Sequence, residues 1–246
     1  MIYLVLPAYN EAETIGALLQ SVKDVLEEEK IEYKVIVVND GSADATADVA
    51  TSFIERMPLE LITNTQNMGL GETVKRGLIH AAELADERDV VIAMDADNTH
   101  NPGLILRMAR MIKEGNDVII ASRYREGSRV MGVPWHRRLM SSGMRYLFRI
   151  FHPIPGVRDY SCGYRAYRAS LLKKALAKFG DELVSQKGFS CMVDILLKLH
   201  RLGAIMNEVP MILRYDLKDS RSKMDVLKTI KDTLKLMFAR LFDKKN

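Results

Sequence analysis

Two carboxylates, one residue apart, are the side chains in this sequence best suited to hold a cation. Asp95 and Asp97 directly follow the apolar run 90–94, and alternate residues of an extended chain point to the same side. Side by side, two carboxylates can bind one hard divalent cation, which would neutralise a diphosphate. An isolated Asp-X-Asp is also typical of a solvated turn, so the choice depends on what the rest of the chain brings to the same place.

The surrounding pattern predicts an α/β protein with a mostly parallel sheet. Short runs rich in Val and Ile alternate with helices of about 10–15 residues, which is typical of parallel strands covered by helices on both faces. The expected strands are 2–6, 33–38, 59–62, 90–94 and 117–121, with a further strand within 204–213. The first expected helix begins after Asn10, which would be its N-cap, and another ends near residue 84. The other expected helices are 43–54, 102–113, 135–151, 171–178, 191–202 and 227–242.

Polar loops follow four of these strands at the points where the strands end. Ligands of open α/β sheets bind beyond the carboxyl ends of the strands, so we expect these loops to converge on one rim. They are the segments 7–11, 39–42, 67–71 and 95–97. This convergence favours a ligand site over four unrelated turns.

Four further features near this rim each allow a functional and a structural interpretation. Asp40 could accept hydrogen bonds from a nucleobase or ribose, or serve as a turn or N-cap acid. Tyr9 could stack on a base or be an ordinary half-buried aromatic residue, and His100 could ligate a metal or be structural. A dense set of arginines suits phosphate, although a solvated basic loop has the same composition. These arginines are Arg123, Arg125, Arg129, Arg137 and Arg138.

Length and composition bound the class of protein. The chain has 246 residues, of which 48% are hydrophobic and 28% charged, which fits one large domain or a domain with an appendage. A net charge of only +4 argues against nucleic acid as a partner. Cys162 and Cys191 lie outside any C-x-x-C pattern, so we expect free thiols in a reducing cytoplasm. No apolar run approaches the ~20 residues that span a bilayer, which favours a soluble protein or one attached to a membrane surface.

The C-terminal segment predicts an amphipathic helix. It places large apolar side chains on one side and lysines and arginines around the others, a pattern suited to an anionic membrane surface. A helix packed on its own domain or on a partner subunit would show the same pattern, and the segment 140–154 presents the same choice. We therefore divide the chain into a domain over 1–223 and a C-terminal amphipathic helix over 224–246.

In chain order, the four rim loops resemble the inverting family-2 glycosyltransferases, which have the Rossmann-like GT-A fold. Later motifs resemble the polyprenyl-phosphate glycosyltransferases of the dolichol-phosphate mannose synthase type. These motifs are Ser122-Arg123-Tyr124, the segment 159–165, Lys187-Gly188-Phe189 and Glu208-Val209-Pro210. The resemblance implies metal-dependent, inverting transfer of a hexose of the mannose or glucose type. The donor would be a nucleotide diphosphate sugar and the acceptor a polyprenyl monophosphate, dolichyl or undecaprenyl.

The resemblance also implies which residues act. It assigns Mg²⁺ or Mn²⁺ to Asp95 and Asp97, with Thr99 as a further candidate ligand. It gives catalytic roles to Asp97, Arg123 and Lys223. The nucleotide sugar would be held by Pro7, Ala8, Tyr9, Glu11, Val38, Asp40, Asp95, Ala96, Asp97, Arg123 and Lys223. The protein would be cytoplasmic and peripheral on the cytoplasmic face of a membrane, and a membrane subunit or a homodimer is left open.

Three positions depart from the family pattern. Thr99 stands where the family often has a metal-binding Gln, Leu217 where it often has Arg, and Asp194 where it usually has Glu. Two other functions therefore stay open. One is a glycosyltransferase with a soluble or polysaccharide acceptor, and the other is a degenerate nucleotide-binding membrane adaptor without catalysis.

Overall fold

The main sheet brings the ends of its parallel strands to one side of the molecule. The computed structural model describes residues 1–217 and 226–242. The strands are β1 (Ile2–Ala8), β2 (Tyr33–Asn39), β3 (Leu59–Thr63), β4 (Val90–Ala93), β5 (Val118–Ser122), β6 (Arg129–Met131), β7 (Arg165–Arg168), β8 (Met206–Pro210) and β9 (Ile212–Arg214). The main sheet has the order β3-β2-β1-β4-β7-β5-β8, and β7 alone among its strands runs antiparallel to its neighbours. A separate parallel pair joins β6 and β9.

Helices cover the sheet because their apolar faces repeat at helical spacing. They are α1 (Ala12–Glu28), α2 (Thr46–Thr51), α3 (Leu70–Leu84), α4 (Leu104–Lys113), α5 (Trp135–Phe151), α6 (Ala169–Phe179), α7 (Cys191–Arg201) and α8 (Val226–Phe242), with short 3₁₀ turns at Gly180–Val184 and Tyr215–Leu217. On α1, for example, Ile15, Leu18 and Val22 are fully buried, and each such side chain contributes about 1.5–3 kcal/mol. Gly77 brings α3 close to β1, since a Cβ there would lie 2.3 Å from Val5 Cγ1.

The predicted fold class is confirmed, and the predicted strands and most of the helices lie within two residues of the observed ones. The predicted helix 43–54 is shortened to Thr46–Thr51, because the residues before it form a polar loop that contacts the start of α1. The segment 204–213 contains two strands, β8 and β9, instead of one. The short strands β6 and β7 were not predicted.

The expected N-cap of α1 is wrong. Asn10 has a left-handed backbone with φ 51°, and its side chain accepts a hydrogen bond from the Ala43 amide. The helix begins at Ala12, and two amides at its start donate to side chains at the start of α2 and in the loop before it. The Glu11 amide donates to Thr46 Oγ1, and the Ala12 amide donates to Asp44 Oδ2. A local capping pattern cannot reveal caps that are more than thirty residues away.

The antiparallel strand β7 changes which loops reach the rim. A strand that runs against its neighbours has its amino end at the edge where the parallel strands have their carboxyl ends. The segment 159–164, which precedes β7, therefore lies beside the loops that follow β4 and β5. Gly163 contacts the carboxylate loop closely, because a Cβ there would lie 3.0 Å from Asp95 Oδ1.

Candidate active site

A large cavity lies at this rim and extends beyond it. Its volume is about 700 Å³, within the range of small-molecule sites. We call it the rim cavity. It is lined by loops after β1, β2, β3, β4 and β5, by the segment 159–163, and by side chains of α5 and α8. The four polar loops therefore line one cavity, as predicted.

Asp40 organises the loop between β3 and α3. Its Oδ1 accepts hydrogen bonds from Asn64 Nδ2 and the Met68 amide, each at 2.8 Å, and its Oδ2 accepts from the Gly69 amide at 2.9 Å. A carboxylate offers about four acceptor positions, and Asp40 is 3% exposed. Asp40 is therefore a turn acid, as its structural interpretation expects, and it lines the cavity with one acceptor position left over; its binding to a nucleotide stays a prediction.

The turn held by Asp40 rests on a second loop. The Gly71 amide donates to the Lys187 carbonyl at 2.8 Å. A Cβ on Gly71 would lie 1.8 Å from the carbonyl oxygen of Gln186, which is impossible without movement of the backbone. Glycine is needed at position 71 because the two backbones approach each other closely.

The two carboxylates of the opening motif both face the rim cavity, in different surroundings. Asp95 has a side chain that is 37% exposed, whereas Asp97 is 9% exposed. Thr99 donates to Asp97 Oδ1 from its hydroxyl at 2.6 Å and from its amide at 3.2 Å. The Thr99 hydroxyl thus orients Asp97, which differs from the metal-ligand role that the resemblance implies for it.

Two buried side chains support the carboxylate loop. His100 is 5% exposed, stacks on Tyr164 with ring centroids 5.2 Å apart, and holds Nε2 4.0 Å from Asp95 Oδ2. Thr14 on α1 bonds Glu11 Oε2 at 3.1 Å and the Ala96 carbonyl at 3.3 Å, which links the loops after β1 and β4. The observed contacts of His100 are thus with the carboxylate loop and Tyr164, and metal ligation by His100 stays a prediction.

Arg123, which lines the cavity, is held in a fixed orientation. Its Nε and Nη2 donate to the two carboxylate oxygens of Asp159 at 2.8 and 2.7 Å, and Nη2 also donates to Ser161 Oγ at 2.7 Å. Burial would raise the pKa of Asp159, but the charge and hydrogen bonds of Arg123 outweigh it and hold that pKa below its usual value. Among the described residues, no acceptor bonds Nη1 of Arg123, so its two hydrogens are available to an anionic ligand.

Glu208 supports this ion pair through the backbone. Its Oε1 accepts the backbone amides of Arg158 and Asp159, both at 2.6 Å. Burial raises the pKa of Glu208. The residue does not line the cavity, so its contacts are structural.

The second half of the cavity is largely apolar and has basic residues along it. Met140, Met144 and Phe148 lie on one face of α5, and Ile230 of α8 lines the same space. The polar lining of this half includes three arginines and two serines of α5: Arg137, Arg138, Ser141, Ser142 and Arg145. The cavity therefore combines a carboxylate-bearing lining from the sheet loops with an apolar and cationic lining from α5 and α8.

The structure brings most of the predicted site residues together. Those that line the rim cavity are Pro7, Ala8, Tyr9, Glu11, Asp40, Asp95, Ala96, Asp97, Thr99 and Arg123. Val38 does not line it, because its side chain is fully buried in the core. Lys223 lies outside the described residues. Arg125 and Arg129 are also absent from the lining, whereas Arg137 and Arg138 are part of it.

Sequence reasoning missed several residues of the site. The sequence places Asp159 only within a turn, although it is the partner of Arg123, and it assigns no role to Ser161 or Arg145. Tyr124 lies between two guanidinium groups, 5.6 Å from that of Arg123 and 4.7 Å from that of Arg145. The spacing of basic and small residues on the α5 pattern was the available signal for Ser141 and Arg145.

The donor set at Asp95 and Asp97 fits a divalent cation that is shared with a ligand. Within residues 1–217 and 226–242, no group of three His, Cys, Asp or Glu side chains could enclose a metal. Mg²⁺-type ions are often held by one or two carboxylates and complete their shell with waters and substrate phosphates. Asp95 and Asp97, two carboxylates at an open cavity, match this way of holding a metal.

The fold and the site define a class: a GT-A-like α/β protein with a two-carboxylate loop at the carboxyl edge of its sheet, as in nucleotide-sugar glycosyltransferases. The chain belongs to glycosyl transferase family 2, whose model matches residues 3–176. A solved structure with a similar fold is glucosyl-3-phosphoglycerate synthase from Mycobacterium tuberculosis, in complex with Mn²⁺, UDP and glucosyl-3-phosphoglycerate. The TM-score is 0.71 at 19% identity, over 100% of this chain and 81% of that one.

Curated relatives narrow the comparison within the family. The chain is 33% identical over 196 residues to a dolichol-phosphate mannosyltransferase of Pyrococcus furiosus, which covers 79% of this chain and 52% of that protein. The chain thus spans about half the length of this relative. It is 30% identical over 207 residues to an undecaprenyl-phosphate mannosyltransferase of Micrococcus luteus, over 84% of this chain and 80% of that one. In the part of this chain that the structure describes, none of the helices has the length and apolar character needed to cross a bilayer.

Proposed function

We propose that the protein transfers a hexose from a nucleotide diphosphate sugar to a polyprenyl monophosphate, with inversion at the anomeric carbon and with a divalent metal. The observation that carries this proposal is the single cavity with two chemically different ends. Its polar end has Asp40, Asp95 and Asp97, and its apolar end has Met140 and Phe148. A sugar nucleotide suits the first end and an isoprenoid chain suits the second. The names of the relatives favour mannose as the hexose.

The arginines between the two ends support a transfer between two phosphates. Arg123 directs its unused Nη1 hydrogens from a fixed ion pair, and Arg137 and Arg145 line the cavity beyond it. A guanidinium binds phosphate oxygens with two N–H groups. Both substrates would thus bring their phosphates to these arginines, where the sugar would pass from one phosphate to the other.

The proposed transfer requires that the two substrates be positioned and that charge on the leaving diphosphate be neutralised, and it does not require a strong base. An oxygen of the acceptor phosphate bonds to the anomeric carbon as the bond from that carbon to the donor diphosphate breaks, and the electron pair leaves with the nucleoside diphosphate. A phosphate monoester has its second pKa near about 6, so the acceptor is already an anion at neutral pH. Metal bound at Asp95 and Asp97 would stabilise the departing diphosphate. Lys223, outside the described residues, is proposed to add positive charge there.

The exposed face of α5 supports attachment to a membrane surface. Trp135, Leu139, Tyr146 and Ile150 are between 55% and 76% exposed and share one side of the helix. Exposed arginines flank them, as expected for an interfacial helix that meets anionic lipid. α8 packs on α5, with the rings of Phe151 and Phe238 6.1 Å apart. We therefore propose that the protein is peripheral on the cytoplasmic face of a membrane. In this proposal α5 contacts the lipid together with the C-terminal helix α8.

The test is an extraction assay with radiolabelled nucleotide sugars, polyprenyl phosphate and Mg²⁺ or Mn²⁺. We expect label to enter the organic phase with the wild type and to be lost in Asp97→Ala. Asp24→Ala, a surface acid on α1, is the matched control and should keep full activity. Label retained in Asp97→Ala would refute the assignment. Label transferred only to a water-soluble acceptor, or donor binding without release of sugar, would replace it with one of the two alternatives.

Membrane attachment has its own test. Leu139→Asp combined with Ile150→Asp should lower co-sedimentation with anionic vesicles at least tenfold. Ile54→Asp, at an exposed apolar residue outside α5, is the control and should sediment as the wild type does. Equal sedimentation of all three proteins would exclude this face of α5 as the docking surface.

A further inference from the structure

A cluster of buried charges behind the rim cavity connects two of its walls. Asp194 of α7 is fully buried and lies next to two cations, Lys198 on the same helix and Arg240 on α8. We call Ser185, Asp194, Lys198 and Arg240 the Asp194 cluster. None of these four side chains lines the rim cavity, so the cluster acts without contact with substrate.

The two carboxylate oxygens of Asp194 serve different parts of the protein. Oδ2 accepts from Lys198 Nζ and Ser185 Oγ, each at 2.7 Å, and from the Ser185 amide at 3.1 Å. Oδ1 accepts from Arg240 Nη2 at 2.8 Å. Burial opposes the charge on Asp194, but the hydrogen bond and charge of Lys198 lead the effects that keep its pKa below the usual value. The carboxylate therefore stays ionised at neutral pH and holds all of these donors.

Oδ2 fixes the loop that supports the donor end of the cavity. Ser185 begins the segment 185–189, in which the Lys187 carbonyl accepts the Gly71 amide. The adjoining turn offers the Gly69 amide to Asp40, and Gly69 itself lines the cavity. Since the backbones at 71 and 186 are already in tight contact, a shift of the segment 185–189 must shift the turn.

Oδ1 fixes the helix that forms part of the apolar end. Arg240 lies two helical turns after Thr233, and Thr233 and Ile230 line the cavity. A second bond, between His152 Nε2 and the Met237 carbonyl at 2.9 Å, joins α8 to α5. The bond from Arg240 to Asp194 thus ties this wall to α7.

We propose that Asp194 is a positioning residue, which holds the donor-side turn and the acceptor-side helix in one arrangement through its two oxygens. The terms donor and acceptor rest on the proposed function, whereas the connection between the two walls does not. Such an acid must present two acceptor oxygens and a negative charge. Asn at this position would present one oxygen and an N–H₂ group, so one of the two walls would lose its partner.

The first experiment measures amide hydrogen exchange and needs no substrate. In Asp194→Asn we expect the Gly71 amide and the amides of α8 to exchange at least tenfold faster, while the amides of β1 and β2 stay protected. Asp117→Asn is the matched control, because Asp117 bonds Arg168 at the opposite edge of the sheet. It should leave Gly71 and α8 unchanged. Unchanged exchange at both segments in Asp194→Asn would overturn the proposal.

The second experiment separates the two walls and covers the case in which Asp194→Asn does not fold. Ser185→Ala should speed exchange at Gly71 and raise KM for the nucleotide sugar about fivefold, with little change in KM for the lipid. Arg240→Met should show the reverse, with faster exchange in α8 and a higher KM for the lipid. Identical effects of the two variants on both walls, or no effect of either, would overturn the proposal. If the wild type itself transfers no sugar, the proposed function fails, and the exchange data alone decide the role of Asp194.

Discussion

Replacing Gly71 by Ala tests whether close contact of two backbones shapes the donor end of the cavity. The new Cβ would lie 1.8 Å from the Gln186 oxygen and 3.0 Å from Lys187 Cα. Carbon–oxygen contacts are normally about 3.3 Å or longer, so the segment 185–189 must retreat by roughly 1.5 Å. That movement breaks the 2.8 Å bond from the Gly71 amide to the Lys187 carbonyl.

The magnitude follows from three contributions. Overpacking costs about 1–3 kcal/mol, and loss of the hydrogen bond costs about 0.5–1.5 kcal/mol. Ala at a helical position gains back up to about 1 kcal/mol over Gly, and less than that in the first turn of α3. We therefore expect the free energy of unfolding to fall by about 1–4 kcal/mol in Gly71→Ala.

The assay combines urea denaturation with calorimetric titration of the nucleoside diphosphate that the wild type binds. If about 1 kcal/mol of the strain falls on the turn held by Asp40, Kd rises about fivefold. Gly188→Ala is the matched control in the same loop, because an added Cβ there has no atom within 4 Å. Stability and Kd of Gly71→Ala that equal those of Gly188→Ala would refute the reasoning.

Three more predictions concern single groups of the site. Arg123→Lys replaces a two-pronged donor by a point charge. The loss of a charge-assisted bond, about 1.5–3 kcal/mol, should lower kcat/KM for transfer roughly ten- to a hundredfold; unchanged kcat/KM would contradict the phosphate role. Burial raises the pKa of Glu208, so the folded protein favours the protonated carboxyl. Protonation of Glu208 therefore stabilises the fold fully below about pH 4.3, and this contribution is lost as the pH rises through the pKa of the folded state. Glu208→Gln keeps an acceptor oxygen, and its unfolding free energy relative to wild type should therefore increase from pH 4 to pH 8; a constant difference would show that Glu208 does not titrate in this way. Burial raises the pKa of both Cys162 and Cys191 to about 12, so at pH 8 the folded protein should react with iodoacetamide roughly a thousandfold more slowly than the unfolded chain, and fast labelling would contradict this.

The sequence predicts the parts of this site that depend on local pattern. Buried Val and Ile runs indicate strands, and the ends of parallel strands must share an edge. For this reason the sequence alone assigns Asp40, Asp95 and Asp97 to one cavity. It also predicts α5 with its observed bounds, 135–151, because the apolar and basic residues of this segment alternate at helical spacing.

The contributions that sequence could not reveal are pairings between distant residues. β7 reads Arg-Ala-Tyr-Arg, which no strand pattern would select. Arg165 is nevertheless fully buried, because its guanidinium donates to the Met192 and Tyr160 carbonyls. In the same way, nothing near Arg123 indicates that Asp159, 36 residues later, is its partner. Propensity describes a residue among its chain neighbours, and these groups are stabilised by neighbours in space.

One antiparallel strand explains why the carboxylates and Arg123 line a single cavity. If β7 ran parallel like its neighbours, the segment before it would lie at the opposite edge of the sheet. Because β7 is antiparallel between β4 and β5, that segment reaches the rim, where Asp159 holds Arg123 and Gly163 packs against Asp95. The side chain absent from Gly163 is what lets this backbone approach the carboxylate loop. The carboxylate loop and Arg123 are therefore brought together by one strand end, and a larger residue at 163 would push the two loops apart.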